Sequence, residues 1–139
     1  MTPLADDESG SILPLMAGYL ALALAVLLVC VNGIDLLVAQ RRIDALADAA
    51  ALAASDGFEI IPVPSGVALE LDPQIAREQA AEVLRVSPGS AWLVDVQLAG
   101  PTTARATVSD LWEPKLLGVI VPRGVVLTAV GTSRASLAG

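Results

Sequence analysis

From Ser11 to Ile34 the chain carries no charged residue. A helix over that run, rising about 1.5 Å per residue, is long enough to cross a hydrocarbon core of roughly 30 Å. The run therefore reads as a transmembrane helix, placed at residues 11–35. Pro14 falls in the first turn, where its missing N–H costs little, and lipid leaves the backbone around Gly18 and Gly33 no alternative to helix. A cleaved signal peptide is the competing reading. Against it, the run is longer than the usual apolar region of such a peptide, the preceding tail (residues 1–10) holds Asp6, Asp7 and Glu8 but no Lys or Arg, and no A-x-A site follows. A lipoprotein box is a poor fit too, because Val29 stands where a small residue belongs and Cys30 lies too deep.

A chain of 139 residues with this segment has room for one small domain. Its composition is 55% hydrophobic but only 3% aromatic, and its mean hydropathy is +0.69, a balance tilted towards membrane and small aliphatic side chains. The net charge of -7 offers no basic patch for phosphates, so nucleic acid is not an expected partner. Cys30 is the single cysteine, which excludes an intrachain disulfide and a thiolate metal site. The chain has no histidine, so the commonest general base and metal ligand are both missing.

Beyond the membrane the pattern stays helical. Leu36, Ala39, Ile43, Leu46, Ala50 and Ala53 recur at alternating steps of three and four and so share a stripe, with Gln40, Arg41, Asp44 and Asp48 on the other side. Ala47, Ala49, Ala51 and Ala54 fill in around the stripe, and Ser55, Asp56 and Gly57 supply a stop. Residues 36–57 thus read as an Ala-rich extension of the membrane helix. Alanine permits close approach by another helix, and the same stripe fits an amphipathic helix covering its own domain's sheet. The two uses can coexist on different faces.

Residues 58–139 read as a small α+β domain. "FEIIPV" (Phe58 to Val63) suits a short strand and "VPSG" a turn. Asp72 followed by Pro73 marks a helix start, and the register of Ile75, Ala76, Gln79, Ala80, Val83 and Leu84 carries that helix to about Val86. "AWLVDVQLAG" and "TARATVSDLW" alternate around "GPT" as a hairpin does, and "VVLTAVGTSRASL" reads as a last strand. The expected fold is α+β, a long N-terminal transmembrane helix continuing into a domain of helix plus short antiparallel sheet. Its core is small, so its stability leans on the long helix or on partners.

The residues offer little chemistry. Asp44 and Asp48 lie one helical turn apart, but two carboxylates without further oxygen ligands make a solvated face more often than a cation site. Lys115 is the only lysine, and nothing in the sequence brings it to Ser109 or Ser133. Trp92 and Trp112 suit core or interface anchors. No phosphate loop, Walker motif or zinc spacing occurs. No catalytic residue, cofactor, metal or small-molecule substrate is expected.

The stretch "DESGSILPLMAGYLALALAVLLVCVNGIDLLVAQRRIDALADAAALAASDGF" resembles the N-terminal module of TadE/TadG-like proteins of the tight-adherence (Flp) pilus system. In that family a short tail ending in Gly-Ser or Gly-Ala leads into a membrane helix, then an Asp and an "A-D-A-A-A-L-A-A" type signature. Gly10, Ser11, Asp35 and Ala47 to Ala54 match those features. The resemblance implies a bacterial envelope protein with a minor-pilin or assembly-accessory role. It would sit in the cytoplasmic membrane by a single pass, with its C-terminal domain outside. The lipid bilayer, other pilin-like subunits and assembly-platform proteins are the implied partners. Asp35, Leu36, Ala39, Ile43, Leu46, Ala50 and Ala53 are the expected helix-packing surface. In related prepilins a peptidase cuts after a glycine, which would place a cut between Gly10 and Ser11. The fifth residue after that cut is Leu15, where prepilins carry Glu, and this departure favours the TadG-like, uncleaved branch. Arg41 and Arg42, read by the positive-inside rule alone, point the other way and put the domain in the cytoplasm. The alternative function is a membrane-tethered binding or sensory module unrelated to pili, extracytoplasmic or cytoplasmic, which a cytoplasmic domain or a ligand pocket would support.

Overall fold

The computed structural model describes residues 12–100, 102–116, 118 and 123–134. One unbroken helix, α1 (Ile12–Ser55), covers both the apolar run and the Ala-rich extension. Its 44 residues extend about 66 Å at 1.5 Å per residue. The membrane portion is exposed from Ile12 to Val31, and burial against the rest of the chain begins at Asn32. Asn32 is satisfied locally, its Nδ2 donating to the Leu28 carbonyl at 2.8 Å. The helix ends where expected: Ser55 Oγ donates to the Leu52 carbonyl at 2.7 Å, and the Gly57 N–H reaches back to Ala54 at 3.2 Å.

Next comes a hairpin, β1 (Phe58–Val63) and β2 (Gly66–Leu71), closed by Pro64 and Ser65. The sequence reading left β2 unassigned. Pro62, Pro64 and Gly66 all look like turn residues, and this two-stranded sheet stands apart from the main one with Leu71 as its buried anchor. The α+β domain expected from the sequence is present, with its antiparallel strands divided between two sheets, of two and three strands.

Helix α2 (Pro73–Val86) starts as its sequence dictates. Asp72 accepts from the N–H groups of Gln74 at 2.7 Å and Ile75 at 2.9 Å, while Pro73 occupies a position that needs no donor. Ala76 and Ala80 are fully buried and Val83 and Leu84 half-buried, so the inward stripe excludes Ile75 and Gln79, which are exposed. The three-stranded antiparallel sheet follows in the order β3 (Trp92–Leu98), β4 (Thr103–Trp112), β5 (Val125–Arg134). A bulge between Leu93 and Asp95 leaves Val94 as the extra residue of β3. The described part of the last strand stops at Arg134, and Ala135 to Leu137 lie outside the described residues.

Helix α1 lies over β4 and β5 and helix α2 over β3, so both helices cover one face of the sheet. The core between them is built from alanine. Ile43 and Val108 are its only fully buried branched aliphatic side chains among the described residues, surrounded by Ala47, Ala50, Ala51, Ala54, Ala76, Ala80, Ala104 and Ala106. Such a core has little apolar area per residue, and it works by bringing backbones together. A Cβ on Gly131 would collide with the Ala47 carbonyl, and a Cβ on Gly57 would come within 2.8 Å of the Ala76 nitrogen. The Ala-rich extension is thus the layer that lets α1 lie almost in backbone contact with β5.

Candidate functional site

The inward-facing residues of β4 are Ala104, Ala106 and Val108, followed in the same parity by Asp110 and Trp112. This switch from small to large and polar shapes the molecule. Where alanine faces alanine, helix and sheet close together. At the end nearest the membrane segment the Trp112 indole stands between β4 and α1, and a cleft opens.

At that junction Trp112 Nε1–H donates to Oδ2 of Asp35 at 3.0 Å, and Lys115 Nζ lies 3.6 Å from Oδ1 of the same carboxylate. Asp35 is the first charged residue after the apolar run, and its side chain keeps 32% of its surface accessible. A neutral donor and a cation thereby hold the carboxylate where the helix leaves the apolar segment. The cleft beside them has a volume of about 300 Å³ and is lined by Asp35, Arg42, Asp110, Trp112, Glu113 and Lys115 among others. Asp110 accepts from Ser90 Oγ at 2.7 Å and from the Leu111 N–H at 2.9 Å. The Arg42 guanidinium rests against Gly89, whose missing Cβ leaves room for it. Among the described residues Arg42 has no carboxylate within 4.0 Å.

The other residues singled out by sequence fall as follows. Gly10 and Ser11 lie outside the described residues. Ile43 and Ala50 are buried beneath the chain's own sheet and α2; Ala39, Leu46 and Ala53 are half-buried, and Leu36 is exposed. That stripe is therefore occupied in large part from within the chain. Asp44 and Asp48 are solvent-exposed, and Asp44 accepts from Gln40 Nε2 at 3.0 Å. Lys115 meets neither serine: Ser109 Oγ pairs with Thr128 Oγ1 at 2.9 Å, and Ser133 Oγ with Ser55 Oγ at 3.1 Å. Of the two tryptophans, Trp112 anchors the junction and Trp92 lies exposed on the outer face of the sheet. Cys30 is exposed on the membrane portion of α1. Among the described residues no three His, Cys, Asp or Glu side chains gather as a metal site would require.

The sequence reading missed the Asp35–Trp112 hydrogen bond and the Arg42–Gly89 contact. The partners lie 77 residues apart in the first case, and the only local signal was the Trp at a strand end.

A hydrogen bond from Arg85, one turn along α2, holds the Glu82 carboxyl below its ordinary range. Both side chains lie in solvent, away from the cleft.

No curated protein and no solved structure matches the chain. A family model does match the long helix and its stop. The apolar part of that helix is long and apolar enough to cross a membrane, so match and helix together support single-pass anchoring. Over residues 10–57 the chain is similar to the Tad family, described as Flp pilus-assembly TadE/G-like, and that match supports a role connected with Flp pilus assembly.

Proposed function

We propose that this protein is a membrane-anchored accessory of a Tad/Flp-type pilus, a minor pilin or assembly factor with its α+β domain outside the cytoplasmic membrane. The observation that carries the reading is the family match over residues 10–57, which spans the membrane helix, Asp35 and the alanine signature together. Its action is physical: no bond is made or broken. The apolar part of α1 holds the subunit in the bilayer, and the extension packs into the domain next to the membrane.

Two surfaces suit partners. The first is the part of α1 that its own sheet leaves uncovered, with Leu37, Leu52, Ala45 and Ala49 exposed beside Asp44 and Asp48. Within the predicted stripe, only Leu36 and the half-buried Ala39, Leu46 and Ala53 remain reachable by another helix. The second is the outer face of the sheet, where Trp92, Val94, Leu111, Val126 and Val130 are all exposed. Apolar patches of this kind mark contact surfaces more often than bare solvent faces.

Site-specific photo-crosslinking from Leu52 and from Val130, in cells assembling a Tad pilus, tests the reading. Recovery of pilin or assembly-platform subunits is the expected outcome. Adducts to unrelated proteins alone, with pili unaffected by deleting the gene, would contradict it.

A further inference from the structure

The cleft at the junction has a position and a charge pattern that together select a ligand. Resting on the reading that α1 spans the bilayer, the position follows from the helix. Ile34 ends the uncharged run and Arg42 is eight residues on, about 12 Å along the axis. The headgroup layer on each side of a bilayer is roughly 5–8 Å deep. Side chains of a helix lean towards its N-terminus, which for α1 is the membrane end. Arg42 therefore reaches back towards the same layer in which Asp35, Trp112 and Lys115 meet. A tryptophan at that height is where an amphipathic ring is most stable.

The charge pattern is mixed. The lining includes two cations, Arg42 and Lys115, and three carboxylates, Asp35, Asp110 and Glu113, so its formal balance is 2 − 3 = −1. Asp35 is engaged with Trp112 and Lys115, and Asp110 with Ser90. Arg42 and Glu113 have no ion-pair partner among the described residues. A purely anionic headgroup would meet the excess of carboxylates, whereas a headgroup carrying both a phosphate and an ammonium would satisfy each unpaired charge with its opposite. A primary ammonium has N–H donors for carboxylate oxygens, which a trimethylated one lacks. A volume of about 300 Å³ is at the small end of ligand clefts, in keeping with a headgroup whose acyl chains stay in the bilayer.

We propose that this cleft holds the headgroup of a phosphoethanolamine-type lipid, its phosphate taken by Arg42 and Lys115 and its ammonium by Glu113 with Asp110. The bound lipid would fix the depth and tilt of the domain at the membrane surface, because it joins α1, β4 and the segment after β4.

The full chain is reconstituted into nanodiscs containing equal parts of phosphatidylethanolamine, phosphatidylcholine and phosphatidylglycerol with distinguishable acyl masses, then released and examined by native mass spectrometry. The expected result is one retained phosphatidylethanolamine per chain, enriched about tenfold over each other lipid, the effect of roughly one charge-assisted hydrogen bond. Arg42→Gln and Glu113→Gln should each abolish the enrichment while the variants still enter nanodiscs and keep the wild-type melting temperature. Retention of the three lipids in equal measure, or enrichment that survives both substitutions, overturns the proposal and leaves the anchoring reading intact. A chain that enters no nanodisc of any composition overturns both.

Discussion

Gly131 lies directly against the carbonyl of Ala47, so close that no side chain fits between strand β5 and helix α1. This one contact ties the far end of the domain to the helix that anchors it, and it explains why the extension is made of alanine. Gly131→Ala should lower the stability of the full chain in detergent by about 1–3 kcal/mol, the usual cost of overpacking, and Gly131→Val by more. Thermal unfolding by circular dichroism checks this against Thr132→Ala, an exposed neighbour expected to stay within about 0.5 kcal/mol. Equal melting temperatures for all three variants would show that the helix does not lie on the sheet.

At the membrane end the same two layers are joined by Trp112 and Asp35. Asp35→Ala leaves the indole N–H without its acceptor and Trp112→Phe leaves the carboxylate with the exposed Lys115 alone, so each single change is expected to destabilise by about 1–3 kcal/mol. The double variant should cost less than the sum, with a coupling of about 1 kcal/mol or more. Lys115→Ala, whose side chain is 82% exposed, is expected to change stability by less than about 1 kcal/mol. A double-mutant cycle by chemical denaturation in micelles reads all of these.

In the alanine core the two branched aliphatic side chains carry a disproportionate share of the buried area. Ile43 is 1% exposed, and Ile43→Ala is expected to cost about 2–5 kcal/mol. Leu37→Ala, one of the exposed positions of the same helix, should leave stability unchanged, and limited proteolysis distinguishes the two by how quickly the domain is cut.

Helix α2 depends on its cap. Asp72→Ala removes the acceptor for the N–H groups of Gln74 and Ile75 and should cost about 1 kcal/mol; Asp72→Ser, which keeps a capping oxygen, should recover most of the loss in the same melting assay.

The acid response of α2 has a definite sign. Arg85 Nε donates to Glu82 at 2.6 Å and holds that carboxyl below its ordinary value. A lowered folded-state value means that the pair stabilises the fold above the ordinary carboxylate range, and that this contribution is lost as pH falls through the lowered value. Glu82→Gln should thus be slightly less stable than the parent at neutral pH and indistinguishable from it in strong acid. Both side chains are exposed, so salt should shrink the neutral-pH difference.

Much of this architecture is written locally. The uncharged run, the Asp72–Pro73 helix start and the alternation on either side of "GPT" each involve neighbours in sequence, and each appears in the structure at its expected place. Strand β2 escaped because its signals are those of a turn: two prolines and a glycine stand within five residues at its start. The occupant of the alanine stripe was undecidable for a different reason. Small residues permit close packing against a sheet or a helix alike, and the sheet's close approach at Ala47 depends on Gly131, more than 70 residues further on. The junction was hidden likewise, since Asp35 and Trp112 share no local pattern and meet only once β4 lies along the helix.

The side of the membrane on which the domain lies tests the account most directly. Ser65 is exposed in the β1–β2 turn, and Ser65→Cys in a Cys30→Ala background gives a single thiol for a membrane-impermeant maleimide. Labelling in intact cells, after permeabilising only an outer membrane if one is present, is the predicted result and places the domain outside. Labelling only after lysis of the cytoplasmic membrane would put the domain with Arg41 and Arg42 in the cytoplasm and contradict the pilus assignment.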